Sequence, residues 1–146
     1  MRILVLHSDI AADAPPEERD TLIAAEAVAA ALRRHGHDAC LAPFASEGLA
    51  ALLDRAAPEI VFNLVEGVDG LGRLAPLAPR LLDEIGIPYT GVGAEAMAAT
   101  NDKPLTKARL RAAGLPTPDW SEPPLWEGLD DGTWIVKSAL EDASLG

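Results

Sequence analysis

Two short apolar runs constrain this chain more than any other feature. Ile3 to Leu6 is continuously apolar, and Ile60 to Val65 is interrupted only by Asn63. Runs of this length suit strands buried on both faces, as in a parallel sheet covered by helices. The sequence between and after them reads as helix and strand in turn. Residues 8 to 20 read as a polar loop containing Pro and Asp. Thr21 to Arg34 reads as an alanine-rich helix, with Ile23, Ala27, Ala30 and Ala31 on one face and Gly36 as its stop. Glu17, Glu18 and Asp20 at its start and Arg33 and Arg34 at its end suit the helix dipole. Ala39 to Pro43 reads as a short strand. Gly48 to Ala57 reads as a helix through Leu49, Leu52 and Leu53, ended by Pro58. Leu77 to Ile85 is the next helix, capped by Gly86. Such alternation predicts βαβ units, hence an α/β fold with a parallel sheet.

A new piece begins near residue 95. Asp102 is a good N-cap, Pro104 is tolerated in a first turn, and Gly114 followed by Pro116 ends the helix between them. Pro118, Pro123, Pro124, Gly128 and Gly132 make residues 118 to 132 mostly loop, and Thr133 to Ser138 reads as a strand. A strand there would present an unpaired edge, which could recruit a second chain into a homodimer.

Composition excludes several function classes. With 146 residues the chain holds one ordinary domain, or a small domain and part of another. A net charge of −11 opposes nucleic acid and anionic membranes. Cys40 is alone, so no internal disulfide is available, which fits a reducing, cytoplasmic setting. Met1 to His7 is too short an apolar run for a signal peptide or a membrane span. The chain has no glycine before Gly36, which argues against a dinucleotide fingerprint after the first strand. Gly67, Gly70 and Gly72 have the wrong spacing for one. No zinc-type spacing and no nucleophile elbow is present. His7 and Ser8 follow the first strand, and His35 and His37 flank Gly36 as cap and turn residues.

Lysine is sparing, with three against nine arginines. Lys103 opens a helix behind a turn-rich segment, and Lys137 closes the run Trp134-Ile-Val. Two compact ammonium groups on regular elements suit a grip on a polyphosphate, although surface exposure is the commoner fate of a lysine.

Four segments carry a family likeness: Val61-Phe-Asn-Leu-Val-Glu-Gly67, Gly86-Ile-Pro-Tyr-Thr-Gly91, Asn101-Asp-Lys-Pro-Leu-Thr-Lys107 with Ala113-Gly-Leu-Pro-Thr-Pro118, and Ile135-Val-Lys-Ser-Ala-Leu-Glu-Asp-Ala-Ser-Leu-Gly146. In order and spacing they resemble the N-terminal part of ATP-grasp ligases of the D-alanine–D-alanine ligase-like group. The resemblance implies a Rossmann-like, pre-ATP-grasp domain at 1–95 and the start of an incomplete ATP-grasp domain at 96–146. It implies that Lys103 and Lys137 bind ATP phosphates, and that Glu141, Ser144 and Gly146 lead into a small-residue loop over them. Asp142 and Ala143 stand where many relatives have Gly and Ser.

The resemblance further implies that Glu18, in a Glu17-Glu18 pair, receives a substrate amino group, although acidic residues before a helix also serve its dipole alone. Glu66 would hold a substrate ammonium or be a solvated strand-end charge. In this group the aligned position is typically the histidine of a His-Gly pair; here it is Glu66-Gly67, which opens the question of substrate. The implied reaction joins a carboxylate to an amine through an acyl phosphate, using ATP and Mg2+ on an amino acid or peptide. The metal ligands are expected beyond Gly146, so no catalytic residue is assigned within the chain and the chain alone is expected to be inactive. Two alternatives stay open. One is a non-catalytic α/β binding module derived from a ligase; the other is a ligase of the glutathione-synthetase type.

Overall fold

The computed structural model describes residues 1–11, 14, 16–124 and 131–140. Three strands, β1 (Arg2–His7), β2 (Asp38–Pro43) and β3 (Ile60–Leu64), form a parallel sheet in the order β2-β1-β3. Ile3 pairs with Ala39 on one side and with Ile60 on the other. Tyr89 extends the sheet beyond β3: the Val61 amide donates to the Pro88 carbonyl at 2.9 Å, and the Thr90 amide donates back to Val61 at 3.0 Å. The helices are α1 (Pro16–Arg34), α2 (Leu49–Ala56), α3 (Leu77–Ile85), α4 (Ala94–Asn101) and α5 (Lys103–Ala112). The α/β fold with a parallel sheet expected from the sequence is therefore present.

Alternation along β1 divides the core in two. Ile3 and Val5 pack with Ala25 and Ala29 of α1, while Leu4 and Leu6 pack with Leu49, Leu53, Ala78 and Leu82 of α2 and α3. Helices thus cover both faces of the sheet, which is why the central strand is apolar from Ile3 to Leu6. No helix among the described residues is long and apolar enough to cross a membrane.

Several boundaries and faces differ from the sequence reading. Helix α1 begins at Pro16, so Glu17 to Asp20 are helical rather than loop; a proline fits a first turn, and acidic residues there favour the dipole. Its buried face is Ala25, Ala29, Val28 and Leu32, whereas Ile23 is 63% exposed and Ala27 is exposed. The packed four follow the i, i+3, i+4, i+7 rule, and their alanines let the helix lie close on the sheet. The stretch 94–101, to which the sequence reading gives no element, is helix α4. Residues 133–138 are not a strand: no described strand lies beside them, and Ile135 and Val136 are 79% and 82% exposed. An apolar run becomes a strand only where a neighbouring strand takes up its backbone groups.

The outer edge of β2 is blunted. The Asp38 amide bonds the Met1 carbonyl and the Phe44 amide bonds that of His7, so Ala39, Leu41 and Pro43 direct their backbone groups outward. Arg33 Nε and Nη2 both donate to the Ala39 carbonyl, at 2.9 and 2.7 Å, and Pro43 has no N–H. An added strand would find a complete donor and acceptor only at Leu41. Arg33→Ala is therefore expected to raise the self-association constant about fivefold, the worth of one net hydrogen bond. Sedimentation equilibrium reads this directly.

Candidate functional site

Parallel strands ending together place their following loops at one edge, where open α/β sheets bind ligands. Here β1 ends at His7 and β3 at Leu64, its register partner. Ser8, 7% exposed, braces the loop after β3: its hydroxyl oxygen accepts from the amides of Glu66 at 3.0 Å and Gly67 at 3.2 Å. His7, equally buried, has Nδ1 2.8 Å from the Ser8 carbonyl oxygen. A carbonyl only accepts, so Nδ1 carries the proton of that bond.

Glu66 is exposed, and its Oε2 accepts from the Thr21 hydroxyl of α1 at 3.0 Å. Glu18 lies three residues before Thr21 in the same helix, within one turn of it. The side chains of Glu17 and Glu18 lie outside the described residues. Beyond Glu66 the backbone turns tightly. The Val68 and Leu71 amides and carbonyls bond reciprocally at 3.2 and 2.9 Å, with Asp69 at φ 53° and Gly70 at φ 72° between them. Two successive positive φ values suit an Asp-Gly pair. The glycines that fail as a dinucleotide fingerprint thus build a turn.

Ser8→Ala leaves two amides without their acceptor. A loss of about 2 kcal/mol in unfolding free energy is expected, one unmade bond being partly offset by water at this edge. Urea denaturation followed by circular dichroism checks it.

The second cluster is the junction of α4 and α5. Asp102 follows the last residue of α4 and caps α5, its Oδ1 accepting from the Leu105 amide at 2.9 Å, as expected from the sequence. The Thr106 hydroxyl bonds the Ala99 and Asp102 carbonyls, both at 2.8 Å, which locks the two helices together. Lys103 is half-buried at the first position of α5, and its amide donates to the Ala139 carbonyl at 3.0 Å. That bond seats the 131–140 segment against the start of α5. Lys137, two residues before Ala139, is exposed. Lys107 has a different place: its Nζ donates to the Pro118 carbonyl at 2.8 Å and lies 5.6 Å from the Trp120 ring centroid. Arg111 stacks on the same ring at 4.4 Å and pairs with Asp119 at 2.7 Å. The i, i+4 spacing of Lys107 and Arg111 was the signal for this clamp.

Glu141, Ser144 and Gly146 lie outside the described residues. Among the described residues no group of three or more His, Cys, Asp or Glu side chains could hold a metal ion.

No family model matches the chain. Individual proteins do. A D-alanine–D-alanine ligase of Chromohalobacter salexigens is 38% identical over 136 residues, covering 89% of this chain and 42% of the ligase. An uncharacterized protein of Sinorhizobium fredii, y4sG, is 34% identical over 143 residues, covering 90% and 42%. The crystal structure of D-alanine–D-alanine ligase from Bacillus anthracis complexed with ATP superposes with a TM-score of 0.67 at 21% identity, covering 90% of this chain and 42% of that one, which shows a shared fold. By fold and sequence the chain is similar to ATP-grasp ligases. Within that class it resembles the N-terminal part of the D-alanine–D-alanine ligase-like group. It spans about two-fifths of the length of the relatives it matches.

Proposed function

We propose that the chain is the N-terminal portion of an ATP-dependent carboxylate–amine ligase. In this reading residues 1–95 form the domain that precedes the ATP-grasp domain, and 96–146 open the latter. The observation that carries it is the Lys103 amide on the Ala139 carbonyl, which brings the segments bearing Lys103 and Lys137 together at one helix start. ATP transfers its terminal phosphoryl group to a substrate carboxylate; an amine then attacks the acyl phosphate, and ADP and phosphate leave. Such transfers need positioning and charge neutralisation more than a covalent nucleophile. Lys103 and Lys137 answer the phosphate charge, with Glu141 and Ser144 in the segment that follows. Magnesium, when bound, shares that neutralisation through ligands outside these residues.

Glu66 and Glu18 are the acceptors for substrate ammonium groups, at the sheet edge where Thr21 fixes one oxygen of Glu66. The substrate is a small amino acid or peptide met by a carboxylate where the group typically offers an imidazole. The setting is cytoplasmic, and the 146 residues alone do not turn over.

The test is calorimetric titration of the chain with ATP and Mg2+. Weak binding that depends on Lys103 and Lys137 supports the reading. No binding would favour the non-catalytic module instead.

A further inference from the structure

We infer that Asn101 is a positioning residue that ties Lys103 to the loop carrying Glu66, so that the nucleotide and substrate ends of the site move together. The inference rests on the ligase reading and extends it to a residue to which that reading gives no role. Asn101 ends α4 and is half-buried; its Nδ2 donates to the Gly72 carbonyl at 3.1 Å, across 29 residues of sequence. A carbonyl accepts only, so the amide nitrogen faces it.

On one side this bond reaches the Glu66 loop. Gly72 follows Leu71, which closes the turn with Val68. Gly67 lies so near Leu71 that a Cβ there would sit 3.3 Å from the Leu71 carbonyl carbon and oxygen. The Ser8 hydroxyl holds the amides of Glu66 and Gly67 in turn. On the other side Asn101 is followed by Asp102, the shared cap, and then by Lys103, whose amide holds Ala139. Two consecutive trans peptides give little slack between Asn101 and Lys103. Asn101 contacts neither nucleotide nor substrate in this account, so its contribution is coupling between the two ends, and affinity for ATP is set elsewhere.

A purely structural asparagine would loosen the loop equally with and without nucleotide; a coupling residue changes what nucleotide does to the loop. Amide hydrogen exchange at Glu66, Gly67 and Leu71 separates the two, because all three amides are hydrogen-bonded. In the parent chain, saturating ATP with Mg2+ is expected to slow exchange at these amides by about fivefold or more. In Asn101→Ala and Asn101→Asp that slowing disappears, while calorimetric ATP affinity stays within about twofold of the parent. Persistence of the slowing in both variants overturns the inference. So does loss of ATP affinity equal to that of Lys103→Ala, which would make Asn101 part of the binding machinery. A parent chain that binds no ATP in calorimetry overturns the ligase reading first, and this inference with it.

Discussion

Leu4→Ala is expected to lower the unfolding free energy by about 3 kcal/mol, whereas Ile23→Ala changes it by less than about 0.5 kcal/mol. Leu4 lies on the central strand, is fully buried, and packs in the cluster formed with α2 and α3. Strands flank it on both sides, so the backbone cannot close over the space that truncation leaves. The cost therefore joins the lost transfer energy to a persistent cavity. Set against a typical total of roughly 5–15 kcal/mol, it removes a large share of the stability. Ile23 carries as many carbons but is mostly in water, so its truncation forfeits little burial and slightly improves helix propensity. Equal losses from the two substitutions would return Ile23 to the core and contradict the face of α1 described above. Urea titration of both variants decides it.

That contrast also marks where the sequence was legible. The bounds of α3 were readable from Leu77 to Ile85 because large apolar residues recur on one face and Gly86 stops the chain at φ 80°. Helix α1 was harder. Among many alanines Ile23 looked like an anchor, yet the sheet is met by Ala25 and Ala29, whose small size gives weak contrast in sequence and close approach in space. The run Trp134-Ile-Val carries strand-forming residues, but composition cannot supply the neighbour a strand needs. In the candidate site, local chemistry was readable and distant contacts were not. Asp102 as a cap follows from neighbouring residues. Ser8 on Glu66 and Asn101 on Gly72 join positions 58 and 29 residues apart, with no pattern of type or spacing to announce them.

Removing both ammonium groups, in Lys103→Ala with Lys137→Ala, is expected to abolish measurable ATP binding, and each single change to weaken it about tenfold. One charge-assisted contact is worth about 1.5–3 kcal/mol, so two give a dissociation constant on the order of a millimolar before further groups contribute. Each substitution then moves binding to the edge of detection. The net charge of −11 works against any nucleotide at long range. At physiological ionic strength, however, charges beyond about 8 Å are largely screened, while direct contacts are screened less. Local charge therefore outweighs the global balance, and a charge-neutral change elsewhere should leave affinity unaltered.

Lys107→Ala is the internal control. Its Nζ is already engaged with the Pro118 carbonyl and the Trp120 ring, so it has no free role at a phosphate. It should lower stability modestly and leave ATP affinity within about twofold. Should Lys107→Ala weaken ATP binding as much as Lys103→Ala, the affinity would belong to the general basicity of α5, and the assignment of phosphate contacts to Lys103 and Lys137 would fail. The paired titrations are informative in both directions because the three lysines sit on two adjoining segments in different company: one at a helix start, one exposed, one clamped.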